Sequence, residues 1–229
     1  VNKLFSQVTS QEIDEIVQNA IDNFTVAGVA VAVVKDGEIV HQKGYGIRSI
    51  ESKAKVNEHT NFGIASNSKA FTTAALAMLV EEGKLSWTDK VVDHIPEFKM
   101  YNDYITQNFN IQDLLTHRSG LGLGIGDLMF FPDGSDFTIN DIITSFQHFK
   151  PQSAFRTKFD YDNLLYMVAG EVVKRVGGKS WEQFIKERIF EPLEMDNSFA
   201  SITYIDDLSN VASPHLNNDK TLSIVEPEQ

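Results

Sequence analysis

The part of the sequence that decides the fold is FGIASNSKAFTTAAL, residues 62–76. It joins a short apolar approach to an apolar helix that we predict from Ser66 to Glu82, with Gly83 at its end. Ser66 and Lys69 are three residues apart, so on a helix their side chains share one face. A lysine amine held there can take the proton of a serine hydroxyl if burial lowers the pKa of the amine.

A second Ser-x-x-Lys tetrapeptide begins at Ser52, so the spacing alone is weak evidence. Ser52 lies in a polar stretch with no apolar neighbour to exclude water from its lysine. Ser66 has an apolar setting, and at a helix start the helix dipole favours a developing alkoxide. Taken by itself, the Ser66 tetrapeptide is explained equally well by a helix-capping serine followed by a surface lysine.

The composition is that of a soluble globular protein with a real core, since 42% of the 229 residues are hydrophobic and 23% are charged. A net charge of -12 would repel phosphate backbones and anionic lipid surfaces, so no nucleic-acid partner is expected. The longest nearly unbroken apolar run, Val26–Val34, is too short to cross a bilayer. Because the sequence has no cysteine, disulfides, thiolate catalysis and cysteine-based zinc sites are excluded.

Hydrophobic periodicity predicts several helices and one clear β-hairpin. The hairpin has strands at residues 28–35 and 39–46 around Asp36-Gly37, a dipeptide that favours tight turns. The first helix can be capped by Thr9 or Ser10. The predicted helices span residues 10–24, 66–82, 111–117, 139–149, 163–176 and 181–190. We therefore expect helices packed on, or inserted into, a mixed sheet.

Tyr161-Asp162-Asn163 is the only Tyr-x-Asn tripeptide in the sequence, and it lies just before a predicted helix. A phenol there can relay a proton while the amide of Asn163 donates to a substrate carbonyl. A buried aromatic ring followed by a helix-capping asparagine explains the same tripeptide. The tripeptide alone favours this second explanation.

Four sequence blocks together resemble the serine β-lactamase and penicillin-binding-protein superfamily, in particular its class C β-lactamase, esterase and D-aminopeptidase branch. The blocks are Phe62–Lys69, Leu114–Leu121, Tyr161–Asn163 and Phe190–Met195, which are similar to the nucleophile block, the Leu-Leu-x-His-x-Ser-Gly-Leu signature, the Tyr-x-Asn motif and the segment after the second helix pair. Because the blocks occur in the family's order across nearly the whole chain, they are far more specific together than any one alone.

The resemblance implies a role for each matching residue. Ser66 is expected to be the acylated nucleophile and Lys69 its general base. Tyr161 is expected to assist proton transfer, and Asn163 to orient the substrate. We interpret His117 as a structural histidine that supports the loop before Ser119-Gly120, since a lysine base needs no triad histidine.

The resemblance also implies an α/β (α+β) fold of the β-lactamase/transpeptidase type, with an antiparallel sheet flanked by helices and an inserted helical region. We expect residues 1–229 to form a single domain, with a sheet-side part at 1–60 and about 185–229 and a helical part at about 61–184. No cofactor and no metal are implied. A periplasmic or extracellular location is favoured by the resemblance, while a cytoplasmic one stays open.

One departure from the family pattern concerns its third motif, Lys-Thr-Gly or His-x-Gly, on a C-terminal strand that edges the site. The sequence has no His-x-Gly, and Lys220-Thr221-Leu222 lacks the glycine that permits close backbone approach. We therefore expect the C-terminal strands to be missing, and either a further segment of the protein or a partner chain to complete the sheet. Residues 1–229 alone are expected to be poorly soluble or to hold such a strand, and to turn over little.

These expectations lead to two hypotheses for function. The first is a serine hydrolase that forms an acyl-enzyme on Ser66 and acts on a small-molecule or peptide substrate: an ester, a β-lactam or a D-amino-acid-containing amide. The alternative is a catalytically incomplete, penicillin-binding-like module for binding or sensing.

Overall fold

The computed structural model describes residues 8–131 and 135–225, which fall into two compact units. One unit holds the described residues up to Gly63 and from Ile205 onward, and the other holds Ile64–Tyr204. We expected the sheet-side part to resume near residue 185. In the structure the chain stays in the helical unit until Tyr204.

The first unit begins with helix α1 (Ser10–Phe24), which starts and ends as the sequence predicts. Thr9 and Glu12 form a capping box, in which each side chain accepts a hydrogen bond from the other residue's backbone N–H. Strands β1 (Gly28–Lys35) and β2 (Glu38–Gly46) form the predicted antiparallel hairpin. Both turn residues have positive φ, +53° at Asp36 and +84° at Gly37, as a tight hairpin turn requires.

Helix α1 packs against β2, and Ile13, Val17 and Tyr45 form the buried cluster of this unit. A second hairpin follows, with strands β3 (His215–Asn218) and β4 (Thr221–Ile224). Within residues 8–131 and 135–225 the strands form two separate two-stranded sheets, which are antiparallel, as the resemblance implies, and not mixed.

The second unit is helical. Its α-helices are α2 (Ser68–Glu81), α3 (Val91–His94), α4 (Asp103–Asn108), α5 (Ile111–Leu115), α6 (Ile139–Ser145), α7 (Leu164–Gly177) and α8 (Trp181–Ile185). Short 3₁₀ turns lie at Ala65–Asn67, Asp127–Met129, Phe146–His148 and Ile202–Tyr204. A π-helical segment, Lys186–Phe190, follows α8 directly.

The core of the second unit forms where α2 packs on α7. Leu76 and Leu79 of α2 and Val168 and Val172 of α7 are fully buried. The apolar faces of the two helices exclude water, which is worth about 25 cal/mol per Å² of buried apolar area. This packing fixes the beginnings of both helices, where the candidate site residues lie.

An ion pair between the exposed Arg156 and the buried Asp113 joins the segment before the site to helix α5. Arg156 donates to both carboxylate oxygens of Asp113, with Nε–Oδ1 and Nη2–Oδ2 distances of 2.8 and 2.6 Å. Asp113 is only 4% exposed, and its carboxylate also caps α5 at Asn110. The backbone N–H of Arg156 donates to the carbonyl of Arg118, so the chain entering the site is held at a second point.

We expect Arg156→Leu to lower the free energy of unfolding by about 2–3 kcal/mol, because it leaves the Asp113 carboxylate buried without its cation. Urea denaturation measures this loss. The matched control Arg188→Leu removes a more exposed pair with Glu82, and should lower the free energy by less than about 1 kcal/mol. Equal losses in the two variants would contradict the role given to the Arg156–Asp113 pair.

Candidate active site

Ser66 lies in the 3₁₀ turn Ala65–Asn67, immediately before α2, rather than in the first turn of a helix from residue 66 to 82. Ala65, the first residue of this turn, has a φ of +44°, in the left-handed region that L-residues with a Cβ avoid, so it cannot belong to a regular α-helix. The regular α-helix begins at Ser68. The Ser66 side chain is exposed at this corner.

Lys69 joins Ser66 to the start of α7. Its Nζ donates to Ser66 Oγ at 3.1 Å and to Asn163 Oδ1 at 2.7 Å. A neutral amine can keep its hydrogen bond to Asn163 while its lone pair accepts the hydroxyl proton of Ser66. The distances thus allow Lys69 to act as the base that the sequence predicts.

Tyr161 places its ring beside the lysine, with its centroid 4.6 Å from Lys69 Nζ. Burial raises the pKa of the Tyr161 phenol, but hydrogen bonding to Lys69 and Ser66 and the charge of Lys69 outweigh burial and bring the pKa below its ordinary value. A phenol with a lowered pKa exchanges its proton more readily near neutral pH. This electrostatic setting supports the predicted role of Tyr161 in proton transfer.

Asn163 is bound at both ends of its amide. Its Oδ1 accepts from Lys69, and its Nδ2 donates to Asp127 Oδ1 at 3.1 Å. The two partners fix the orientation of the amide, since Lys69 Nζ donates a hydrogen and the Asp127 carboxylate only accepts one. Asn163 provides no side-chain cap for α7, and its substrate-orienting role stays a prediction.

Asp162, between the two motif residues, is fully buried. Its Oδ1 accepts from the N–H of Leu165 at 3.2 Å and so caps α7, while its Oδ2 is buried without a hydrogen-bond partner. Burial raises the pKa of Asp162 to about 7, and nearby Asp127 adds to this effect. The carboxyl group thus fixes the start of α7, although burial disfavours its ionised form.

His117 supports the loop that carries Tyr161 and Asp162, rather than the loop before Ser119-Gly120 that we expected. Its Nδ1 accepts from the N–H of Asp162 at 3.1 Å, and its ring centroid lies 4.5 Å from that of Tyr161. Burial lowers the pKa of His117, and the charge of Lys69 lowers it further, which favours the neutral imidazole that this hydrogen bond requires. His117 therefore positions Tyr161 through the contact between the two rings and the hydrogen bond to the next residue.

Sequence reasoning missed Asp127 and the roles of Asp162 and Gly124. In the glycine-rich stretch 120–126, the N–H of Gly124 donates to the carbonyl of Tyr161 at 2.9 Å. A carboxylate inside the Tyr-x-Asn motif was the available signal for Asp162. Asp127 lies 36 positions before Asn163, and nothing in the local pattern indicates that contact.

The lookalike motifs lie elsewhere. Ser52 is in a turn where its Oγ accepts from the N–H of Ala54, and Lys220 lies in the turn between β3 and β4. Residues 8–131 and 135–225 contain no group of three or more His, Cys, Asp or Glu placed to hold a metal ion. No helix in this described part is long and apolar enough to cross a membrane.

A serine hydroxyl bonded to a lysine three residues later, with a tyrosine ring on that lysine, defines a site of the serine–lysine class. The sequence matches the family described as Beta-lactamase over residues 13–227, and the chain belongs to that family. Its fold is of the β-lactamase/transpeptidase type, with helices and small antiparallel sheets.

Similar proteins include two curated relatives and a solved structure. Protein flp of Staphylococcus aureus strain MW2 is 30% identical over 194 residues, which cover 83% of this chain and 38% of that protein. Unguisins hydrolase ungD' of Aspergillus campestris is 31% identical over 202 residues, covering 84% and 36%. The structure of the octameric penicillin-binding protein homologue from Pyrococcus abyssi has a TM-score of 0.78 at 25% identity, covering 93% and 50%. The chain thus spans half or less of the length of each.

We expect Asp162→Asn to gain stability over the wild type as pH rises. The pKa of about 7 in the folded state lies above the ordinary 3.8, so between these pH values the unfolded chain loses a proton that the folded protein keeps, and the wild type loses stability as pH rises. The difference in unfolding free energy should shift toward the variant by more than about 1 kcal/mol between about pH 5 and pH 8.

Asp141→Asn is the matched control. Hydrogen bonding to Thr138 lowers the pKa of Asp141, so this carboxylate stabilises the fold above its ordinary pKa and loses that effect as pH falls. The difference in unfolding free energy should therefore shift toward Asp141→Asn as pH falls, opposite to the shift expected for Asp162→Asn. Denaturation at several pH values measures both, and a flat difference for Asp162→Asn would contradict the burial argument.

Proposed function

We propose that the chain is a serine hydrolase of the β-lactamase and penicillin-binding-protein type, acting on an ester, a β-lactam or a D-amino-acid-containing amide. The observation that carries the proposal is the 3.1 Å hydrogen bond between Lys69 Nζ and Ser66 Oγ. Family membership and the similarity to a protein named as a hydrolase support it.

In the proposed reaction, Ser66 Oγ attacks the substrate carbonyl carbon while the hydroxyl proton passes to Lys69 Nζ. The carbonyl oxygen carries the negative charge until the bond to the leaving group breaks. The leaving group takes up a proton from Lys69 by way of the Tyr161 hydroxyl. A water molecule then attacks the acyl-enzyme and gives a proton to Lys69. The bond between the acyl carbon and Ser66 Oγ breaks, Oγ takes that proton from Lys69, and the carboxylic acid leaves.

The arrangement of charges supports this sequence of proton transfers. The lowered pKa of Tyr161 suits a group that passes a proton between Lys69 and a leaving group. Asn163 holds Lys69 at the serine through its Oδ1, and Asp127 holds Asn163. No side chain in this sequence of steps requires a cofactor.

We expect a fluorophosphonate or penicillin probe to label Ser66 covalently. Ser66→Ala should abolish labelling, whereas Ser52→Ala, which alters the other Ser-x-x-Lys serine, should leave it intact. Intact-mass measurement and peptide mapping locate the adduct. Equal labelling of the two variants would exclude Ser66 as the nucleophile. Labelling by penicillin without release of product would support the binding or sensing alternative.

Lys69→Ala should slow labelling at least about 100-fold, because it removes the base that takes the serine proton. Tyr161→Phe keeps the ring beside Lys69 and removes only the hydroxyl, so it tests proton relay apart from packing. We expect it to slow acylation more for esters with poor leaving groups than for activated ones. Uniform slowing of all esters would argue against a proton passing through Tyr161.

A further inference from the structure

A groove begins at Ser66 and Lys69 and continues within the helical unit, with a volume of about 710 Å³. One wall is α2, which contributes Lys69 and, one turn later, Thr72. The other wall is formed by Asn163, which directly precedes α7, and by Met167 and Gly170 of α7, at helical spacing along one face. Trp181, at the start of α8, lines it as well. We call this the Trp181 groove.

Gly170 is a residue that the fold does not require. It lies inside α7, where glycine costs about 1 kcal/mol relative to alanine. A Cβ added at Gly170 would meet Trp181 Cδ1 at 3.6 Å and Cγ at 3.9 Å, which are ordinary van der Waals contacts. Since neither packing nor a positive φ demands glycine here, the effect of the missing side chain is to leave the groove open.

The groove surface beside Gly170 is apolar and held in place. Trp181 Nε1 donates to Thr72 Oγ1 at 3.0 Å, so the only polar atom of the indole is satisfied and its ring offers hydrocarbon surface. Met167 is unbranched and adapts its shape to an apolar ligand. The groove therefore favours an apolar group over a charged one.

Beyond Gly170 the groove lining includes charged side chains: Glu171 and Lys174 are paired with each other, and Glu182 adds a further carboxylate. Lys174 Nζ donates to Glu171 Oε2 at 3.2 Å, and Arg175 Nε donates to Glu171 Oε1 at 2.9 Å. A charged group on the ligand would have to compete with these pairs, and a carboxylate would also be repelled by Glu182. From Asn163 to Gly170 the helix rises about 10 Å, since each residue adds 1.5 Å. That length suits a medium-length hydrocarbon chain.

We propose that the Trp181 groove binds an uncharged apolar acyl chain, aliphatic or arylalkyl, on the carbonyl that Ser66 attacks, and that Gly170 and Trp181 set the chain length accepted. This inference rests on the proposed function. Ser66 itself lines the groove, so the group that stays bonded to its Oγ in the acyl-enzyme begins at the groove. Of the substrate, Gly170 and Trp181 would contact only the acyl chain, so both are specificity-determining residues.

The test compares acylation of Ser66 by p-nitrophenyl acetate and p-nitrophenyl octanoate, below the micelle concentration of the octanoate. In each reaction the Ser66 oxygen bonds to the acyl carbon, p-nitrophenolate leaves, and the serine proton passes to Lys69. The release of p-nitrophenolate in the first turnover gives the rate, and intact mass confirms the adduct. We expect acylation by octanoate to be faster by about tenfold or more.

Three variants locate the effect. Gly170→Leu fills the groove and should bring the octanoate-to-acetate ratio close to one, and Gly170→Ala should lower it only partly. Glu81→Leu adds the same leucine to an exposed position near the end of α2, and should leave both rates unchanged. Circular dichroism shows which variants fold. If Gly170→Leu does not, Trp181→Ala takes its place, because a longer groove should shift the preference toward dodecanoate.

The outcomes separate this inference from the proposed function. Equal acylation by acetate and octanoate, or a ratio that neither folded Gly170→Leu nor Trp181→Ala changes, would overturn the groove assignment while Ser66 acylation stands. Preference that follows the alcohol part of the ester instead of the acyl part would overturn it too. If no ester and no fluorophosphonate modifies Ser66, both proposals fail.

Discussion

The position of Lys69 Nζ is the constraint on which the candidate site depends. A single amine reaches Ser66 Oγ on one side and Asn163 Oδ1 on the other, so the starts of α2 and α7 must lie side by side. Packing of the apolar faces of these two helices brings the starts together. Ser66 follows the left-handed residue Ala65 and lies in the 3₁₀ turn directly before α2. The contacts of Lys69 in the candidate site therefore depend on the packing of the two helices.

A second set of contacts holds the loop that carries Tyr161 and Asp162 beside Lys69. His117 accepts from the backbone at Asp162, and Gly124 donates to the carbonyl of Tyr161. Arg156 ties the chain just before this loop to helix α5. These supports come from three separate stretches of the sequence. Reacting groups that must keep a precise geometry generally need supporting contacts of this kind from neighbouring residues.

Local sequence patterns predicted what local forces determine. Helix α1 and the β1–β2 hairpin were found at the predicted residues, because periodicity, a capping box and the Asp36-Gly37 turn all act over a few residues. The 3₁₀ turn at Ser66 was not predicted, since it follows from the strained φ of Ala65. The contact of Asp127 with Asn163 depends on tertiary packing, which no spacing rule describes. Motif order supplied the candidate residues, but their hydrogen-bond partners required the fold.

The π-helical segment Lys186–Phe190 bears on how this chain should be aligned with its relatives. Its hydrogen bond from the N–H of Glu191 to the carbonyl of Lys186 spans five residues instead of four, so the segment contains one residue more than a regular helix of the same length. A relative without that residue would continue α8 as an ordinary α-helix. Every later side chain would then be rotated by about 100° unless the next loop compensated. Ile189 and Phe190 are buried in this segment. A one-residue gap at this place in an alignment would therefore correspond to the loss of the π-helical turn.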